Sequence, residues 1–230
     1  FVKEYFPEHS KKRYEAMVEN VKTAFGERVK KLDWMSQPTK EKALAKLATV
    51  SQKVGYPNKW KDLSSLQVDR GPWVLNMKRA GEFWYAYNIN KLGKPVDRTE
   101  WEMTPQTYNA YYNPSNNEIV LPAAIFSIPG WNDDDIDDAI VYGYAAASTI
   151  GHELTHGFDD QGCQYNEKGN LVKWWTPEDE KKFAERTKKI VTQFNKFVVL
   201  DSLHVNGEAS QGENIADLGG IVTAWDAFTK

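Results

Sequence analysis

At 230 residues, with 41% hydrophobic, 27% charged and 13% aromatic side chains, the chain has a globular composition and enough length to bury a core. Lys+Arg 29 against Asp+Glu 32 leaves a net charge of −3, which offers no basic field and excludes nucleic acid as a partner. The single cysteine, Cys163, excludes an internal disulfide and a zinc site built from several thiolates.

No apolar run approaches the ~20 residues needed to cross a bilayer, so no membrane-spanning segment is expected. No signal peptide precedes Phe1 and the chain starts without Met, which suggests a processed or excised piece of something longer.

The first half reads as helical. Ser10 is a candidate cap for a helix whose apolar positions Tyr14, Met17, Val18, Val21, Phe25, Val29 and Leu32 recur at three- and four-residue steps. Thr39 is expected to open a second helix, with Leu44 and Leu47 on its buried face. A loop follows at Gly55-Tyr56-Pro57-Asn58. Gly71-Pro72 opens a third helix carrying Trp73, Met77, Phe83 and Trp84, all expected in the core.

From Thr107 the pattern changes. Thr107 to Asn113 is aromatic and strand-like, Pro114-Ser115-Asn116-Asn117 is a turn cluster, and Glu118-Ile119-Val120-Leu121 is a second strand, which predicts a β-hairpin. The acidic run Asp133 to Asp138 reads as a solvated helix start at the positive end of the dipole; a calcium loop would need a Gly and a terminal Glu that are missing.

Ile140 to Phe158 is an Ala-rich helix without Pro. Thr176-Pro177-Glu178-Asp179-Glu180 is a capped helix start, with Phe183, Ile190, Val191 and Phe194 on the buried face beyond it. A last helix runs from about Glu213 toward Phe228. The expected fold is mainly α with a small β-sheet (α+β). Residues 1–100 form a helical part, and residues 101–230 hold the hairpin and the site-bearing helices.

The chemistry concentrates in Gly151-His152-Glu153-Leu154-Thr155-His156. Two histidines four apart share one helical face, so both imidazoles can reach one metal at ~2.0–2.1 Å. Glu153 stands beside that metal rather than on it, placed to take a proton from metal-activated water. A catalytic zinc needs a third protein ligand. His9 and His204 are the remaining histidines, and Glu213 in Gly212-Glu213-Asn214-Ile215-Ala216-Asp217 is the better candidate. Asp217 shares its face and could hydrogen-bond a ligating histidine; a solvated acidic face is the alternative for both carboxylates.

Five ordered stretches resemble the neprilysin family of zinc endopeptidases, which includes the endothelin-converting enzymes and bacterial oligopeptidases. They are Asn109-Ala110-Tyr111-Tyr112-Asn113, Glu118-Ile119-Val120-Leu121-Pro122-Ala123, Gly151 to Asp160, Gly169-Asn170-Leu171-Val172-Lys173-Trp174-Trp175, and Gly212 to Gly220. Leu32-Asp33-Trp34-Met35 and Val54-Gly55-Tyr56-Pro57 are similar too, so the resemblance spans essentially the whole chain.

The resemblance implies a zincin-type catalytic domain of the gluzincin kind, with one Zn²⁺ per chain ligated by His152, His156 and Glu213. It makes Glu153 the general base, has Asp217 orient a zinc-bound histidine, and has Asn109 and Ala110 hold the backbone of a peptide substrate. That last role fits an extended peptide added as a β-strand along Tyr108–Asn113. Cys163 stands where relatives usually carry Arg, and Ser210-Gln211 where they tend to have Thr and an apolar residue; neither change touches the metal.

Family members continue well past Glu213, where they supply an oxyanion-stabilising histidine and a substrate-binding arginine. The stretch after Glu213 here contains neither. The expectation is therefore a zinc metalloendopeptidase fragment, cleaving internal bonds of short peptides by metal-activated water, weakly active or inactive without the C-terminal segment of the parent protein. The alternative is a non-catalytic, zinc-stabilised peptide-binding module. Glu153 argues against that, because a structural site closes all four positions and has no use for an adjacent base. The lack of paired cysteines favours a bacterial relative over disulfide-rich animal ectodomains, and with it a place outside the cytosol, in the cell envelope or secreted.

Overall fold

The computed structural model describes residues 1–230, which divide into two compact units, residues 1–56 with 103–230 and residues 57–102. After one short turn of helix (α1, Val2–Tyr5), the larger unit is built on α2, Glu8–Lys31. Its periodic residues Tyr14, Met17, Val18, Val21, Phe25 and Val29 are all buried. The helix starts at Glu8 rather than at a Ser10 cap, because Pro7 sets φ −67° in an extended conformation just before it. Ser10 instead lies inside the first turn, buried, its hydroxyl without a hydrogen-bond partner.

Helix α3, Gln37–Ala48, begins two residues before Thr39, with Ser36 at the N-cap position and no cap from its own side chain. The cap comes from far along the chain. Asp179, in the first turn of α7 (Pro177–Phe194), accepts the Ser36 backbone N–H at 3.1 Å and the Thr39 hydroxyl at 2.6 Å, besides a bond from the Ser36 hydroxyl. The same carboxylate accepts the Thr176 hydroxyl at 2.8 Å, while Thr176 caps α7 as expected. One buried carboxylate thus serves two helix starts.

The hairpin is present but shorter than expected: β2 covers Tyr111–Asn113 and pairs antiparallel with β3, Glu118–Pro122. Thr107 to Ala110 lies outside the strand. A further strand, β1 (Ser51–Gly55), pairs parallel with β3 on its other side, so the sheet order is β1-β3-β2. Sequence patterning missed β1, which has only five residues and one apolar side chain before its terminal glycine. Its partner, the central strand β3, is buried throughout. Gly55 ends β1 at φ +76°, and an added Cβ there would lie 2.4 Å from the Phe6 ring.

The acidic run is more than a solvated helix start. Asp133 accepts the Tyr14 hydroxyl at 2.6 Å, Arg13 pairs with Asp138 at 2.7 Å, and Asp137 caps α5 (Asp138–Val141) through the Ala139 N–H. Tertiary folding supplies basic partners that sequence neighbours do not. The final helix, α8, spans Gln211–Phe228, and a small exposed hairpin of β4 (Val198–Leu200) and β5 (Leu203–His204), also missed, precedes it. On α7, Val191 is buried while Phe183, Ile190 and Phe194 are half-buried.

The smaller unit carries α4, Trp73–Ile89, opened by Gly71-Pro72 as expected, but the core role expected of it fails. No residue of α4 is buried, and Trp73 is 75% exposed. So short a unit cannot enclose a helix that is apolar on several faces. Within the unit, Tyr87 bonds Glu100 at 3.0 Å, Arg79 bonds Asp69 at 2.8 Å, and the rings of Phe83, Trp84 and Tyr87 pack on one another.

Candidate metal centre

The helix expected over 140–158 is a composite. Behind α5 the backbone widens into a π-helical segment, Tyr142–Gly151, and tightens again into α6, His152–His156. Such widened turns recur at functional sites. Helix α8 packs against this run at backbone contact. A Cβ on Gly220 would lie 2.1 Å from the Ala147 carbonyl oxygen, and one on Gly219 would lie 2.3 Å from the Thr155 hydroxyl. Only glycines permit that approach, and it brings the first two turns of α8 over the histidines.

The imidazole Nε2 atoms of His152 and His156 are 3.0 Å apart, and the Glu213 Oε2 lies 3.2 Å from the first and 3.5 Å from the second. Zinc at ~2.0–2.1 Å from each of three tetrahedral ligands sets them about 3.3 Å apart, so the triangle has the size of one face of that tetrahedron. Its electrostatics also fit a cation. His152 Nδ1 donates to Asp217 Oδ1 at 2.8 Å and His156 Nδ1 donates to Asp159 Oδ2 at 2.7 Å. With the ring protons held there, both Nε2 lone pairs and a carboxylate oxygen converge on one point, which is repulsive until a cation occupies it.

His9 and His204 are bonded elsewhere, to Asp134 at 3.2 Å and to the Asn195 carbonyl at 2.9 Å. Glu153 is 7% exposed and lies beside the triangle. Burial raises its pKa above the ordinary carboxylate range; the two histidines and a hydrogen bond from the Tyr112 backbone N–H oppose that rise without cancelling it. Glu213 is the exposed member, its side chain 67% accessible, and lines the cleft beside the two histidines.

That cleft, of about 450 Å³, is lined by Asn109, Ala110, Tyr111 and Tyr112 together with His152, Glu153, His156 and Glu213. The Asn109 side-chain oxygen accepts the Ala110 N–H at 2.9 Å. Six of the seven residues singled out in the sequence therefore line one opening, and the seventh, Asp217, stands behind it on His152 Nδ1. A larger groove of about 1020 Å³, walled by Trp174, Trp175 and Phe183, contains none of the triangle's atoms.

Sequence reading missed Asp159. The residue is 4% exposed, and its carboxylate holds His156 and accepts the backbone N–H groups of Gln161 at 2.9 Å and Gly162 at 2.7 Å. The signal was available, since a carboxylate three residues after a ligand histidine lies within reach of its ring.

Two models of peptidase family M13 match the chain, one over residues 109–230 and one over residues 1–57. The endothelin-converting enzyme homolog of Locusta migratoria is 39% identical over all of this chain and 32% of its own length. The human endothelin-converting enzyme-like 1 is 36% identical, with all of this chain and 30% of its own length covered. A crystal structure of the Mycobacterium tuberculosis zinc metalloprotease ZMP1 with an inhibitor superposes at TM-score 0.91 with 44% identity, covering 99% of this chain and 35% of that one. PEPO from Lactobacillus rhamnosis superposes at 0.89 with 34% identity, covering 97% and 35%. The chain spans about a third of the length of these relatives.

Proposed function

The chain belongs to peptidase family M13, and from that premise we propose that it carries the zinc-binding half of an endopeptidase site that hydrolyses internal bonds of short peptides. The observation that carries the reading is the triangle of His152, His156 and Glu213, with a buried carboxylate, Glu153, against its edge. One zinc ion, when bound there, supplies a Lewis acid that polarises a carbonyl and makes water acidic.

The protein's own groups do the rest. Asp217 and Asp159 keep the ring protons of His152 and His156 on Nδ1, so that both Nε2 atoms remain donors of an electron pair. The Glu153 carboxylate accepts a proton from the attacking water and returns it to the leaving amine. Asn109 and Ala110 hold the peptide backbone, with the substrate extended along the outer strand β2 of the sheet. No helix is long and apolar enough to cross a membrane. A place outside the cytosol belongs to the same proposal and is checked by fractionating cells.

The 230-residue chain, with no His or Arg after Glu213, is expected to cleave weakly or not at all by itself. The test therefore uses Glu153→Gln in the whole protein that carries this chain. Zinc content should stay at one per chain while peptide cleavage falls by about 10²–10⁴-fold. Persisting cleavage would overturn the role of Glu153. Peptide binding with no cleavage in the unaltered protein would favour the non-catalytic binding module.

A further inference from the structure

Lys46, in the last turn of α3, is 1% exposed, and its charge is met by backbone carbonyls. Its Nζ donates to Gly157 O at 2.6 Å, Gly162 O at 2.7 Å and Tyr165 O at 2.7 Å, which uses all three ammonium protons. The rings of Phe158, Tyr112 and Trp174 surround it, their centroids 5.3, 5.8 and 5.9 Å away. Burial brings its pKa down to about 8, so it is still protonated at neutral pH. The Lys46 carbonyl is itself tied by the Asn117 side-chain amide at 2.9 Å.

The three carbonyls it gathers span residues 157–165, the segment that leaves α6 directly after His156. Within that segment Asp159 turns back to hold His156 Nδ1. The turn is tight: a Cβ on Gly162 would lie 1.8 Å from the His156 carbonyl oxygen. Carbonyls crowded at the negative end of a helix repel one another, and a cation there relieves that repulsion.

We infer that Lys46 is a positioning residue for the metal ligand His156, fixing through three carbonyls the turn that presents Asp159 to the imidazole. The inference rests on His152, His156 and Glu213 being the zinc site. Arginine cannot replace it, since a planar guanidinium cannot bring one nitrogen to three converging oxygens. Methionine would fill the volume and leave three buried carbonyls without a donor.

The experiment measures zinc dissociation constants, by competition with a chromophoric chelator, in the whole protein carrying this chain. Lys46→Met should weaken zinc about 10–100-fold, as loss of a group supporting a ligand does. Combined with Asp159→Asn, it should add less than about threefold to the single Asp159→Asn loss, because both act through one turn. Phe126→Leu, which thins the separate stack of Phe126 on Tyr14, should leave zinc affinity within about twofold at a comparable fall in Tm.

Unchanged affinity in Lys46→Met would overturn the inference, as would full additivity with Asp159→Asn or an equal loss in Phe126→Leu. If Lys46→Met does not fold, Lys46→Arg is read by the same criteria. An unaltered protein that takes up no zinc overturns the site reading and this inference with it, whereas failure of Lys46 alone leaves the site intact.

Discussion

Gly151 and Gly220 meet backbone to backbone: a methyl added to Gly151 would lie 2.8 Å from the Gly220 Cα. That contact sets the distance between α6 and α8, and so the reach of Glu213 and Asp217 to the histidines. Gly220→Ala should lower stability by about 1–3 kcal/mol and weaken zinc binding, because overpacking displaces the helix bearing both carboxylates. Gly81→Ala on α4, where nothing lies within 4 Å, should be neutral or stabilising by about 0.5–1 kcal/mol. Thermal unfolding with zinc titration of both variants checks the pair.

Asp217→Asn replaces the carboxylate that holds His152 Nδ1 at 2.8 Å. Zinc affinity should fall about 10–100-fold with little change in the stability of the metal-free protein, because the Asp217 side chain is 67% exposed. Chelator competition beside urea unfolding separates the two effects; equal affinity in the variant would show that Asp217 does not orient the ligand.

Removal of zinc should lower Tm, and its return should restore it in proportion to the logarithm of free zinc. A ligand at a thousand times its dissociation constant adds about 4 kcal/mol to the folded state. The Glu213→Ala variant should lose most of this zinc-dependent rise, and an undiminished rise would place the metal elsewhere.

Asp179 gives an acid-side signature. Burial alone would raise its pKa, but hydrogen bonds from Ser36, Thr39 and Thr176 outweigh that and hold it at about 2. A folded pKa below the unfolded value of about 3.9 means the unfolded chain binds the proton first as pH falls. The contribution of Asp179 is therefore complete above about pH 4 and lost as pH falls toward 2. Asp179→Ala should cost about 1–3 kcal/mol at neutral pH, and the gap to the unaltered chain should narrow in urea unfolding as pH falls toward 2.

Asn109→Ala tests the substrate side. If Asn109 holds a peptide backbone, kcat/KM of the whole protein should fall on the order of tenfold while zinc content is unchanged, since one hydrogen bond is lost from the bound substrate. An unaltered kcat/KM would leave Asn109 to its bond with Ala110 alone.

What the sequence by itself determined is local. The periodic apolar face of α2, the Thr176 cap, the Asn113 to Glu118 turn and the four-residue step between His152 and His156 all follow from backbone geometry over a few residues. The family motifs extended that reach to Glu213 and Asp217. Where local patterning misled, a distant group had intervened. Local pattern puts a helix start at Thr39, because nothing nearby announces that Asp179 caps Ser36 from α7. Apolar spacing points Trp73 and Met77 to a core, yet both are exposed, because spacing alone does not say whether any surface covers a helix face.

Only the tertiary structure decided which groups share a site. Strand β1 exists because β3 pairs with it in parallel, Asp159 matters because the turn after α6 folds back on His156, and Lys46 matters because three carbonyls converge on its ammonium. These relations depend on directions in space set by helix packing, at Gly219 and Gly220 above all, and side-chain type carries no record of direction until the backbone has folded.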